Sequence, residues 1–126
     1  MRTSMLWILL LLTASACDGD GPIICTTEAR FGVNVSARDA VTNQLIPDGV
    51  FGAVQEGSYT DSLQVFRDIE GRIHSLAAAV EREGTYRVEV RAAGYQPWVR
   101  NNVVVTADRC HVTPVNLQAN LTPDAP

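Results

Sequence analysis

The chain has 126 residues, 46% hydrophobic and 19% charged, which is enough for one small globular domain and too short for a second. Ten basic residues, every one an arginine, stand against fourteen acidic ones for a formal net charge of -4. That balance excludes a polyanion surface, and with it nucleic acid as a partner, because such surfaces need clustered positive charge.

Residues 1–16 read as a targeting segment. Arg2 gives a positive start, Leu6 to Leu12 (LWILLLL) an apolar run, and Ala14, Ser15 and Ala16 a small-residue approach to Cys17. The run is too short for a stable bilayer anchor and has the layout of a secretory signal. It resembles a bacterial lipoprotein signal. That resemblance implies that Cys17 becomes the first mature residue, carries the lipid (palmitate among its chains) and holds the protein on an envelope membrane, at its periplasmic or cell-surface face. An ordinary cleaved signal peptide is the alternative.

Residues 17–24, with the run DGDGP, form a flexible tether. The DGDG run lacks the glutamate at loop position twelve that a calcium loop needs, so no metal is expected there. Once Cys17 is set apart, Cys25 and Cys110 remain, and an exported chain with one even pair reads as a single disulfide. Residues 25–121 are the domain and 122–126 (TPDAP) a frayed tail.

Within the domain, Phe31 to Arg38 alternates Phe31, Val33, Val35 and Ala37 with polar residues, as a half-buried strand does. Val50 to Glu56 is a second strand, with Phe51 and Val54 on opposite faces and neither assignable to the core. Gly57 and Ser58 turn the chain into YTDSLQVF, predicted as one strand with Tyr59, Leu63 and Val65 on one face and forming a hairpin with its predecessor. Residues 73–83 contain LAAAVERE, which is open between a strand, favoured here, and a short helical turn, since eight residues before Gly84 are few for a helix.

The stretch Gly84 to Tyr95, GTYRVEVRAAGY, alternates without error: Tyr86, Val88, Val90 and Ala92 on one face, Thr85, Arg87, Glu89 and Arg91 on the other. Pro97 marks an edge or a bend. Val99, Val103 and Val105 are expected to supply a further core face. A last strand runs from near Cys110 to Leu121, with Val112 out of phase across Pro114. About seven strands between turn signals predict an all-β Greek-key β-sandwich.

The runs GTYRVEVRAAGY and CHVTPVNLQANL, with a valine-rich strand between them, resemble the carboxypeptidase regulatory-like domain family, whose members are similar to transthyretin in fold. The resemblance covers roughly Thr26 to Leu121 and implies the fold rather than an activity. The related transthyretin-like hydrolases have a histidine and arginine cluster completed by a C-terminal tyrosine, arginine, glycine, serine tail, and this chain ends LTPDAP instead.

Chemistry is sparsely signalled. His74 and His111, with Cys25 and Cys110, match no compact zinc finger in spacing and read as exposed strand histidines. No nucleophile elbow is present, and the acidic residues read as solvated charges at turns and on wet strand faces. No cofactor is expected. Tyr95 and Trp98, beside a strand-end bend with Asn101 and Asn102 near, are the candidate partner-binding residues; packing over the sandwich end and edge is the alternative for the same two rings. The expectation is a non-catalytic lipoprotein of the envelope that contacts another envelope protein, with a carbohydrate-binding module as the alternative and a glycan as its ligand.

Overall fold

The computed structural model describes residues 21–126. The signal segment 1–16, Cys17 and the first part of the tether lie outside the described residues. Eight strands follow: β1 (Phe31–Asp39), β2 (Val50–Glu56), β3 (Tyr59–Ser62), β4 (Gln64–Arg67), β5 (Ile73–Val80), β6 (Gly84–Ala92), β7 (Trp98–Val105) and β8 (Val115–Leu121). They form two four-stranded sheets, ordered β4-β5-β1-β8 and β3-β2-β6-β7. All pairings are antiparallel except that of β1 with β8, which is parallel from Val33↔Val115 to Asp39↔Leu121.

The period-two pattern decides which side chains meet between the sheets. Val33, Val35 and Ala37 of β1, Leu76 and Ala78 of β5, and Ala119 and Leu121 of β8 face Val50 and Val54 of β2 and Tyr86, Val88 and Val90 of β6. Every one of these is buried, and each large aliphatic side chain removed from water contributes roughly 1.5 to 3 kcal/mol. Val54, not Phe51, is the inward residue of β2; Phe51 is 59% exposed.

Residues 73–80 are a strand. The helix-forming run Leu76 to Ala79 is overridden because β5 is bonded on both sides, to β4 and to β1, so its alanines occupy the crowded middle of a sheet. The predicted strand YTDSLQVF is instead two. Its first half pairs with β2, Leu63 turns into the core with its N–H donating to Gly52 O (2.9 Å), and its second half pairs with β5 in the other sheet. Val65 stands opposite the buried Leu76, on the inward face, but β4 is an edge strand and leaves it 39% exposed.

A bulge corrects the reading of β7. Tyr86 lies opposite Val103 but Val88 opposite Arg100, so Asn101 and Asn102 share the place facing Arg87, with Asn102 at φ 55°. The extra residue flips the alternation: Val103 and Val105 are buried while Val99 lies outside, opposite Glu89, 40% exposed. The segment after β8 is not frayed. Thr122 O accepts from Gln96 N (2.8 Å), Asp124 N donates to Gly94 O (2.9 Å) and Pro123 bridges Tyr95, because β8 ends beside the β6–β7 turn whose backbone groups need partners.

Candidate functional site

The two ends of the sandwich carry different polar clusters, and the more connected one surrounds Glu81. The chain reaches it through a kink. Ala79 sits at φ 58° and Glu81 at φ 47°, left-handed conformations that L residues adopt only when held. Asp61, from the opposite sheet, provides one hold: its Oδ2 accepts from Ala79 N (2.9 Å). Glu81 N donates to Arg30 O (2.8 Å), which turns the Glu81 side chain toward the start of β1 and the loop before β8.

There the Glu81 carboxylate gathers three donors from two distant segments. Oε1 accepts from Arg30 N (2.9 Å) and faces His111 Nδ1 (2.7 Å), and Oε2 accepts from Val112 N (3.0 Å). The other ring nitrogen of His111, Nε2, is 2.8 Å from Thr26 Oγ1. Asp108 shapes the loop that presents the ring: its Oδ1 accepts from Cys110 N (2.7 Å) and His111 N (2.9 Å). The Cys25–Cys110 disulfide, with Cα atoms 5.3 Å apart, closes the cluster covalently.

The charges follow from those contacts. The hydrogen bond from His111, then those from Arg30 N and Val112 N, hold the Glu81 carboxyl below the usual glutamate range against a desolvation penalty. Asp108 is likewise lowered, first by His111 N and then by Cys110 N. His111 itself is 9% exposed, so it is not the exposed strand histidine that the sequence suggested, whereas His74 is exposed. Nor are these acids merely solvated charges. Their oxygens are spent on backbone N–H groups that would otherwise lack partners, a role visible only once the loops are brought together.

Hydroxyl, imidazole and carboxylate in series have the connectivity of a hydrolase's nucleophile, base and orienting acid. Here the same three groups connect the N-terminal arm to the sandwich. Thr26 is next to the bridged Cys25, His111 is next to Cys110, and Glu81 bonds the backbone on both sides of the junction. Three cavities on the surface are lined by other residues, on the outer faces of the two sheets and beside Gln44 to Pro47. Among the described residues no group of three or more histidine, cysteine and acidic side chains is placed to hold a metal ion.

At the opposite end, Tyr95 and Trp98 are both half-buried against the core. The Tyr95 hydroxyl donates to Asp39 Oδ2 (2.9 Å), while Asp39 Oδ1 accepts from Val41 N (2.7 Å) and Thr42 N (3.0 Å). Those bonds, led by that from Thr42 N, lower the Asp39 carboxyl, and the bond to Asp39 raises the Tyr95 phenol. Trp98 opens the edge strand β7 opposite Val90, with the Arg100 guanidinium 5.6 Å from its ring centre. The two rings thus flank one end of the sandwich, one anchoring the β1–β2 loop and one covering an edge. Among the described residues the paired rings are Phe31 with Phe66, edge-on, and Tyr59 with Tyr86, tilted.

The chain matches no protein-family model, and no curated protein matches it.

Sequence reasoning found the disulfide by parity and compartment. It missed Glu81, Asp108 and Thr26. The available signal was a run of three residues, Glu81 to Glu83, too short of helix length and charged just where a strand leaves the core.

Proposed function

We propose that this is a non-catalytic lipoprotein module of the bacterial cell envelope, a carboxypeptidase regulatory-like sandwich held to the membrane through Cys17 and used to contact another envelope protein. The observation that carries this reading is the clasp at the root of the N-terminal arm. A domain tethered by its N-terminus receives any pull at the first residue that is fixed, and here that residue is Cys25, bridged to Cys110 and flanked by Thr26 on His111. A covalent cross-link at that point carries the load into the sheets. Tyr95 and Trp98 stand at the end of the sandwich away from the clasp, with Asn101 and Asn102 midway along β7, and a partner protein has access to them there.

Metabolic palmitate labelling of the wild type and of Cys17→Ser tests the anchor: the wild type should label and the variant should not. Recovery of co-purifying proteins from native membranes tests the contact, with Tyr95→Ala and Trp98→Ala combined expected to reduce it in a variant that still melts cooperatively. A hydrolytic activity of the purified protein that disappears in Thr26→Val would replace the binding reading with a catalytic one.

A further inference from the structure

Two four-stranded sheets leave four edges, β4 and β8 in one sheet and β3 and β7 in the other. An edge offers unpaired N–H and C=O groups to any extended chain, and proteins guard such edges with charges, prolines or bulges. Three of the four are guarded here. β3 carries Asp61, β4 ends in Arg67 at a register irregularity, and β7 carries Arg100 beside the Asn101–Asn102 bulge.

β8 has none of these devices. Its seven residues, VNLQANL, include no charge and no proline, and they pair with β1 in unbroken register. Both flanks turn toward the other sheet: Thr113 N donates to Thr106 O before the strand, and Thr122 O accepts from Gln96 N after it.

The polarity of β8 reads the same from either end about Gln118. In an antiparallel pair of β8 strands related by a two-fold axis at Gln118, that residue meets its own copy, Asn116 meets Asn120, Leu117 meets Ala119 and Val115 meets Leu121. Amides then face amides on the outer side, where Asn116, Gln118 and Asn120 are exposed, and apolar side chains meet on the inner side, where Val115 and Leu117 are only half-buried. A slip of one residue would turn one copy's amides onto the apolar side. The pairing also prolongs a row already present, since Asn34, Ser36 and Arg38 of β1 stand beside Asn116, Gln118 and Asn120.

We propose that two copies of this chain associate by antiparallel pairing of their β8 strands about Gln118, joining two four-stranded sheets into one of eight. The contact is isologous, so it closes at two copies and leaves no sticky edge of its own. Main-chain hydrogen bonds provide attraction, and the cross-strand amide and apolar pairs fix the register.

Variants of the full-length chain with one added cysteine read that register directly. Gln118→Cys should give a reducible dimer on a non-reducing gel, because residue 118 alone opposes itself, whereas Asn116→Cys and Asn120→Cys should each stay at the background set by the parent chain. The double variant N116C/N120C should cross-link. Independently of thiols, Q118K and Q118E should each sediment as cooperatively melting monomers, and an equal mixture of the two should recover the dimer. A monomeric parent overturns the proposal, including one that captures an extended peptide from another protein. So does cross-linking of Gln118→Cys no stronger than that of Asn116→Cys.

Discussion

His111 Nδ1 lies 2.7 Å from Glu81 Oε1, although the two residues are thirty positions apart and belong to different loops, each of which crosses between the sheets. The contact joins the end of β5 to the approach of β8, and the same carboxylate holds Arg30 N ahead of β1. One side chain therefore ties three neighbouring strands of one sheet at their common end.

Acid should loosen that tie. The folded carboxyl of Glu81 titrates below its unfolded value, so the unfolded chain binds more protons across the interval and stability rises with pH there. The contribution is complete above the ordinary glutamate range and is lost as pH falls through the lowered folded value. Asp39 and Asp108 act in the same direction. Melting temperature followed from neutral pH downward should fall, and Glu81→Gln should start lower at neutral pH and converge with the wild type at the acid end. Parallel curves for the two proteins would remove Glu81 from this account.

Reduction should cost more than any single hydrogen bond. The bridge closes a loop of 85 residues, and the chain-entropy estimate for such a loop is about 4 to 5 kcal/mol. Replacing Cys25 and Cys110 together with serine should lower the denaturation midpoint in urea by a corresponding amount, and peptide mapping of the wild type without reductant should recover one linked pair.

Tyr86 is fully buried, yet its hydroxyl donates toward Arg82 O (2.9 Å), lies 3.3 Å from Glu83 O and accepts from Arg82 Nη1 (2.8 Å). Removing one oxygen strands those partners. Tyr86→Phe should destabilise the fold by about 1 to 3 kcal/mol, the cost of leaving a part-buried polar group unpaired, with the far-ultraviolet dichroism unchanged.

Gly52 is required by space, not by its backbone angle. A β-carbon there would fall 2.1 Å from Glu89 O and 2.8 Å from Leu63 Cδ1, and the first of these is backbone of the adjacent strand. Gly52→Ala should therefore cost at least the 1 to 3 kcal/mol typical of overpacking, because β2 and β6 must separate to admit the methyl group. A thermal melt within a degree or two of wild type would show that the sheet opens there freely.

How far the sequence could be read depended on the range of the forces involved. β6 was legible because its alternation is complete and local: Tyr86, Val88, Val90 and Ala92 needed only a cover. The division at Leu63 was not, since YTDSLQVF alternates acceptably as one strand, and only competition between β2 and β5 for its two halves breaks it. The misplacement of Val99 came from a single inserted residue at Asn101–Asn102, which leaves no mark in composition. Glu81, Asp108 and Asp39 were read as surface charge because their partners are backbone N–H groups from remote segments, and a backbone donor is the same in every sequence. The Cys25–Cys110 pair was legible for the opposite reason, since two cysteines left over have one way to pair.

The parallel pairing of β1 with β8 has a bearing on when this protein can fold. The first strand finds its neighbour some eighty residues later, so the sheet that contains it stays incomplete until the polypeptide has been synthesised through Leu121. Contacts between such distant segments form slowly, after the entropy of closing the long loop has been met. A chain with this wiring emerges from the ribosome without a finished domain. Until β8 has emerged, its sheet has three strands and β1 stands at an open edge.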